Sequence, residues 1–178
     1  MKTLIITWEQ YQDQEVIYPY YRAQEEGEVA LFANKLGRVH GILGAFVTAT
    51  HEISLLQDEK IASDYLERFD LLILPGGVKA MEKLRQDRWV TKFIASWDQK
   101  GKIIASTCSG AQLLISAEIV KGRDVSAYIG MEIDVKNAGA RYVNEPCVED
   151  KNLVSSPHYD HMSIWLSTAI RRAKEFQG

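Results

Sequence analysis

The residues best placed to do chemistry lie in the segment KIIASTCSGAQLL, at positions 102–114. A short β-rich apolar run ends at Ser106, Cys108 follows it, and a second apolar segment of helical length begins after Gly110. This order predicts a strand, a tight turn and a helix, with the thiol at the turn. A nucleophile on such an elbow needs small residues two positions before and after it, and Ser106 and Gly110 are both small.

A thiol at the first turn of a helix feels the positive end of the helix dipole, which favours the thiolate. Cysteines in such positions titrate below the free value of about 8.5, some of them far below it. The sequence therefore predicts a reactive thiolate at Cys108. The alternative is that Cys108 is a small buried hydrophobic residue after a central strand, where free cysteines often lie.

Segments typical of strands and helices alternate along the chain. Buried strands are expected at 4–6, 28–33, 70–74 and 103–105, with shorter candidates at 39–41, 45–48, 124–127, 141–143, 147–148 and 153–155. Helices are expected at 15–26, 61–68, 89–97, 132–138 and 160–176. The alternation predicts a three-layer α/β/α sandwich with a mostly parallel central sheet, formed by a single domain over residues 1–178.

Ligands of such sheets bind at the carboxyl ends of the strands. Three segments follow predicted strands and are expected to meet there: positions 8–15, the pair Gly76-Gly77, and Cys108-Ser109. Paired glycines after a parallel strand allow backbone amides to point at a ligand or at a developing negative charge. Taken alone, the same pair is more typical of a plain turn.

Composition narrows the classes of function. The net charge of -3 gives no reason to expect nucleic acid or a membrane as partner. Two cysteines make no disulfide framework, and the start of the chain resembles a strand more than a signal peptide, so we expect a cytoplasmic protein. His158 and His161 lack a third ligand of suitable spacing, and no metal or other cofactor is predicted.

The segments LERFDLLILPGG, KGKIIASTCSGAQLL and KGRDVSAYIGMEIDVKNAGARYVNEPCVEDKNLVSS, in this order, resemble the ThiJ/PfpI family of the class I glutamine amidotransferase-like superfamily, with its flavodoxin-like fold. The resemblance implies that Cys108 is the reactive cysteine and that Glu15 is the acidic residue hydrogen-bonded to it. It also implies an oxyanion hole formed by the amides of Gly77 and Ser109, and a pocket tyrosine at Tyr128.

The chain departs from the family pattern beside the cysteine. Protease-like and deglycase-like members carry His at the position of Ser109. His158 and Asp160 are similar to the His-x-acid pair of true glutamine amidotransferases, which makes a triad with Cys108 conceivable. Alternatively, His158 is a surface loop residue and Asp160 caps the final helix. Glu82 is a possible match to a glutamate that other members supply to a neighbouring subunit.

The resemblance favours a cysteine-dependent hydrolase or lyase for a small-molecule substrate, such as an amidase, an isonitrile hydratase or a deglycase-like enzyme, and it implies a homodimer. One alternative is a non-enzymatic redox-responsive or chaperone-like protein in which Cys108 is oxidised. Peptidase-like and glutamine amidotransferase-like activities are the weaker alternatives.

Overall fold

The computed structural model describes residues 1–177. Its strands are β1 (Thr3–Ile6), β2 (Val29–Ala33), β3 (Gly37–His40), β4 (Phe46–Ala49), β5 (His51–Glu52), β6 (Leu71–Leu74), β7 (Ile103–Thr107), β8 (Asp124–Val125), β9 (Arg141–Tyr142), β10 (Val148–Asp150) and β11 (Leu153–Ser156). Its helices are α1 (Asp13–Gln24), α2 (Glu59–Arg68), α3 (Val78–Leu84), α4 (Arg88–Gln99), α5 (Ala111–Ser116), α6 (Glu132–Asn137) and α7 (Met162–Gln177).

Seven strands form the central sheet in the order β10-β11-β7-β6-β1-β2-β5. All neighbours are parallel except β10 and β11. One row of residues crosses five strands in register: Ala30, Leu4, Leu72, Ile104 and Leu153. All five are buried. Continuous apolar runs form these strands because both faces of a parallel sheet are covered.

Two groups of helices cover the sheet. Helix α1 contacts α7, whereas α2 contacts α4 and α4 contacts α5. The connection from β1 to β2 crosses the sheet in one direction, and the connection from β6 to β7 crosses it in the opposite direction. Because both crossovers are right-handed, α1 and α4 lie on opposite faces of the sheet. The three-layer α/β/α prediction is confirmed, and the order of the strands reverses between β1 and β6, where ligands bind in such folds.

Two small sheets lie outside the central one. Strands β3 and β4 pair antiparallel with each other, and β8 pairs with β9 over two residues. The two-residue strand β5 and the seven-residue helix α3 have no counterpart in the sequence-based prediction. Both are too short to show a periodic pattern. Within the described residues, no helix is long and apolar enough to cross a membrane.

The backbone approaches closely where β7 turns into the following helix. A Cβ added to Gly110 would overlap the Leu74 carbonyl oxygen and would lie 2.9 Å from the Pro75 carbonyl oxygen and 3.0 Å from Ser106 Oγ. Two of these three atoms belong to the backbone and cannot rotate away. The small residue predicted two positions after Cys108 is therefore required by packing.

Replacing Gly110 by Ala should destabilise the chain by about 1–3 kcal/mol, because the added methyl group overpacks the elbow. The displacement of the elbow by this methyl group should also slow the reaction of Cys108 with iodoacetamide. Urea denaturation and alkylation rates measure the two effects. Gly44 is the control, since a Cβ there meets no atom within 4 Å and Gly44→Ala adds only backbone strain at φ 92°. A Gly110→Ala variant with unchanged stability and alkylation rate would contradict this packing.

Candidate active site

Cys108 lies at a strained turn between β7 and α5. Its φ of 54° places a non-glycine residue in the left-handed region, and residues 108–110 form one 3₁₀ turn. Such strain costs about 1–3 kcal/mol and persists where the surrounding structure enforces it. The half-buried side chain therefore projects at the carboxyl end of a central strand. This is the geometry predicted for a nucleophile elbow.

The glycine pair that follows β6 lies against this elbow. A Cβ on Gly76 would overlap Glu15 Oε2 and would lie 2.9 Å from Cys108 Cβ. Gly77 has a φ of 109°, and a Cβ there would lie 2.7 Å from both Tyr11 Cα and the Gln12 amide nitrogen. The pair is therefore more than a plain turn, because only residues without a side chain allow this approach.

Glu15 is completely buried in the first turn of α1. The helix start is fixed by Gln12, whose Oε1 accepts a hydrogen bond of 3.0 Å from the Glu15 amide. The Gly76 amide donates to Glu15 Oε2 at 2.6 Å. Oε1 has no hydrogen-bond partner within residues 1–177, and the carboxyl lies close enough to Cys108 for each group to affect the pKa of the other. The structure thus brings together the acid and the thiol that the family resemblance paired.

Burial raises the pKa of the Glu15 carboxyl to about 7, although the hydrogen bonds from the Gly76 amide and from Cys108 both act to lower it. Burial also raises the pKa of the Cys108 thiol to about 12, and the nearby negative charge of ionised Glu15 adds to that rise. This direction is opposite to the acidification expected from the helix dipole. That expectation was wrong because α5 has only six residues, whereas desolvation acts on the whole buried pair.

Two neighbouring acids that repel each other when both are ionised share the remaining proton. The thiolate of Cys108 therefore forms most readily when Glu15 keeps its proton, since a neutral carboxyl can donate a hydrogen bond to sulfur and adds no negative charge. With the pKa of Glu15 near 7 and that of Cys108 near 12, both groups carry a proton in a large share of molecules at neutral pH. The thiolate beside a neutral Glu15 is therefore a minor state that the reaction draws on.

Ser109 completes the contact between the elbow and the glycine pair. Its side chain is buried, and its Oγ accepts a hydrogen bond of 2.9 Å from the Gly77 amide. The Ser109 backbone N–H and hydroxyl also hydrogen-bond Cys108, and both lower the pKa of the thiol. The two amides predicted to form an oxyanion hole therefore lie beside Cys108, but in this structure the Gly77 amide is already bonded. The oxyanion role of Gly77 and Ser109 stays a prediction.

Tyr128 lies at the edge of the same site. Its backbone amide donates to the Cys108 carbonyl oxygen at 3.2 Å, which ties the loop before α6 to the elbow. The side chain is 43% exposed and lies above Gly130, where a Cβ would come 2.7 Å from the ring. The phenol is therefore accessible to a ligand, and its predicted role in substrate binding remains to be tested.

His158 lies two residues beyond β11. Asp160 lies within the 3₁₀ turn that follows. His158 Nδ1 pairs with Asp160 Oδ2 at 3.0 Å, and both side chains are accessible to solvent. Within residues 1–177, the His158 ring makes its hydrogen bonds to Asp160 and none to Cys108. The structure thus forms the His–acid pair without joining it to the thiol, and a catalytic His158 stays a prediction. Asp160 lies within the 3₁₀ turn that leads into α7, and His158 caps that turn.

Two contacts that position the Glu15 side chain were not predicted from the sequence. Gln12 caps the helix that carries Glu15, and the Gly76 amide holds its carboxylate. The signal for Gln12 was its place three residues before an acid at a helix start, the spacing of a cap. The part of the chain that the structure describes holds no group of three or more His, Cys, Asp or Glu side chains arranged to bind a metal ion.

The raised pKa of Glu15 makes a prediction for stability. The pKa of Glu15 is about 7 in the folded chain and 4.5 in the unfolded chain. Between pH 4.5 and about pH 7, the folded chain therefore binds more protons than the unfolded chain. Stability should therefore fall as pH rises through this window, by about 3 kcal/mol in total. Glu15→Gln should abolish most of this fall, and urea denaturation between about pH 5 and about pH 8 measures it. Glu82→Gln, at an exposed position of α3, is the matched control. Equal pH profiles for the wild type and Glu15→Gln would contradict the burial cost.

Comparison with known proteins agrees with this geometry. The chain matches the DJ-1/PfpI family over residues 1–172. It is 33% identical to "Deglycase PfpI" of Pyrococcus furiosus, over 98% of this chain and 100% of that protein. It is 32% identical to "Protein/nucleic acid deglycase 2" of Escherichia coli, over 96% of each.

A solved two-domain protein from Anabaena variabilis, which contains a DJ-1/ThiJ/PfpI-like and a ferritin-like domain, superposes with a TM-score of 0.86 at 28% identity. The match covers 96% of this chain and 47% of that one. The family match spans nearly the whole chain, and two relatives of full length exceed 30% identity. The chain belongs to the DJ-1/PfpI family, within the class I glutamine amidotransferase-like superfamily.

Proposed function

We propose that this chain is a cysteine-dependent deglycase that acts on small dicarbonyl adducts of amino or thiol groups. The observation that carries the proposal is the buried Glu15 carboxyl against the Cys108 thiol at a strained elbow. The substrate class is suggested by two relatives that are named deglycases. A carbonyl carbon is an electrophile that a cysteine thiolate attacks.

The first step needs only groups that lie together in the site. With its proton on Glu15, the pair presents Cys108 as the thiolate, and sulfur forms a bond to the carbonyl carbon. The π electrons move to the carbonyl oxygen, and that oxygen takes the proton from Glu15. The product is a hemithioacetal, formed from thiol and carbonyl without a further reactant. Preorganised backbone amides stabilise the negative charge that develops on this oxygen.

The carboxyl of Glu15 is suited to this exchange of a proton. A general acid works best when its pKa lies near the working pH, and burial brings that of Glu15 to about 7. Its position is fixed by the Gly76 amide at 2.6 Å, so the acid does not need to be ordered when substrate binds. The same group can return the proton to sulfur when the carbon–sulfur bond breaks.

The redox-responsive alternative depends on the same thiol. Both proposals need the Cys108 thiolate, so the raised pKa of the thiol does not separate them. The deglycase proposal is the better supported of the two because two full-length relatives are named deglycases. The homodimer and the cytoplasmic location remain predictions.

Cys108→Ala should lower the release of free amine from methylglyoxal-treated peptide by at least about 100-fold, because the nucleophile is lost. Cys147→Ala is the matched control and should keep the wild-type rate, since Cys147 precedes the edge strand β10, which lies two strands from β7 in the sheet. Amine release is followed by mass spectrometry of the peptide. A Cys108→Ala variant with the wild-type rate would refute the proposal. A wild type that releases no amine while peroxide oxidises Cys108 before Cys147 would favour the redox alternative instead.

A further inference from the structure

The hydrogen bond between the Gly77 amide and Ser109 Oγ fills the place where a substrate oxygen would be stabilised. We propose that the Ser109 hydroxyl occupies the oxyanion hole in the substrate-free protein and turns away when the substrate oxygen gains negative charge. Ser109 is thus a positioning residue that sets how the site distinguishes the transition state from the bound substrate. This inference rests on the proposed attack of Cys108 on a carbonyl carbon.

The backbone of Gly77 is packed on both sides. It approaches Tyr11 and Gln12 so closely that a Cβ would lie 2.7 Å from Tyr11 Cα and from the Gln12 amide nitrogen. Its carbonyl oxygen accepts a hydrogen bond of 2.9 Å from the Met81 amide, which fixes the other side of the same residue. The amide direction is therefore constant, and the movable partner in the bond is the serine side chain, which turns about a single χ1 angle.

Ser109 connects the amide to the thiol. A hydroxyl carries one proton and can accept and donate at once. Because Ser109 Oγ accepts from the Gly77 amide, its own proton is available for the Cys108 sulfur, and the hydrogen bond between Ser109 and Cys108 lies in that direction. Before substrate arrives, the amide thus polarises a hydroxyl that supports the thiolate. Once the sulfur is bonded to the carbonyl carbon, it carries no negative charge and no longer needs the hydrogen bond from the Ser109 hydroxyl.

The occupied amide affects substrate binding and the transition state differently. A neutral carbonyl oxygen that displaces Ser109 Oγ exchanges one neutral hydrogen bond for another and gains little. An oxyanion forms a charge-assisted bond about twice as strong, so it displaces the hydroxyl with a net gain. Only interactions stronger in the transition state than in the bound substrate accelerate the chemical step. Ser109 therefore prevents the Gly77 amide from stabilising the substrate carbonyl before reaction.

Hydrogen exchange of the Gly77 amide tests the proposal in glycine-selective ¹⁵N-labelled protein. Ser109→Ala should exchange this amide at least about tenfold faster than the wild type, because the hydrogen bond is lost. Ser109→Thr keeps the hydroxyl and should restore the slow exchange. Ser106→Ala is the matched control, since Ser106 Oγ is also buried in the elbow but has no partner within residues 1–177. It should leave the exchange at Gly77 unchanged.

Methylglyoxal then tests whether the hydroxyl and the substrate oxygen share one place. In Ser109→Ala, the hemithioacetal on Cys108 should restore slow exchange at Gly77, and the double variant with Cys108→Ala should remain fast. Unchanged exchange in Ser109→Ala would overturn the proposal, as would faster exchange that methylglyoxal does not slow.

The wild type provides a second test that does not require a variant to fold. Its Gly77 amide should exchange slowly both before and after the adduct forms on Cys108. Loss of protection on adduct formation would overturn the proposal. These results do not depend on turnover, so they are distinct from the amine-release assay at Cys108.

Discussion

Burial of the Glu15 carboxyl is the constraint on which the site depends. A completely buried acid avoids the cost of an unpaired charge by keeping its proton or by accepting hydrogen bonds, and Glu15 combines both solutions. The same start of α1 carries Asp13, whose carboxylate accepts from the amides of Leu43 and Ala45 at 2.8 and 3.0 Å. The turn between β3 and β4 is thereby attached to the helix end that holds Glu15. The hairpin outside the sheet thus supports the acid.

Close approach of three backbone segments converts that buried acid into a reactive pair. The loop after β6, the loop before α1 and the elbow after β7 meet at the position where the strand order reverses. They approach so closely that Gly76, Gly77 and Gly110 have no space for a Cβ. The thiol of Cys108 and the carboxyl of Glu15 are therefore held close to each other. Preorganisation of this kind lowers the reorganisation that the reaction requires.

Local pattern predicted the fold and the elbow well, because central strands are continuous apolar runs and a nucleophile turn requires small neighbours. It could not predict contacts that depend on folding. Glu15 is one of several polar residues in its helix, and only the family resemblance singled it out. The bond between Gly77 and Ser109 joins residues 32 positions apart, and the pKa of Cys108 is set by desolvation that no short motif encodes. His158 and Asp160 have the spacing of a triad, yet they pair with each other near the surface.

The central claim is that the Glu15 carboxyl keeps its proton near neutral pH while it lies against Cys108. The most direct measurement is a ¹³C NMR titration of the side-chain carboxyls in wild-type protein, with the Glu15 signal assigned by its absence from Glu15→Gln. A midpoint near pH 7 is expected, because burial raises the pKa of Glu15 to about 7. A midpoint near the ordinary value of 4.5 would contradict the claim, since Glu15 would then be ionised at neutral pH and could not donate a proton beside the thiolate.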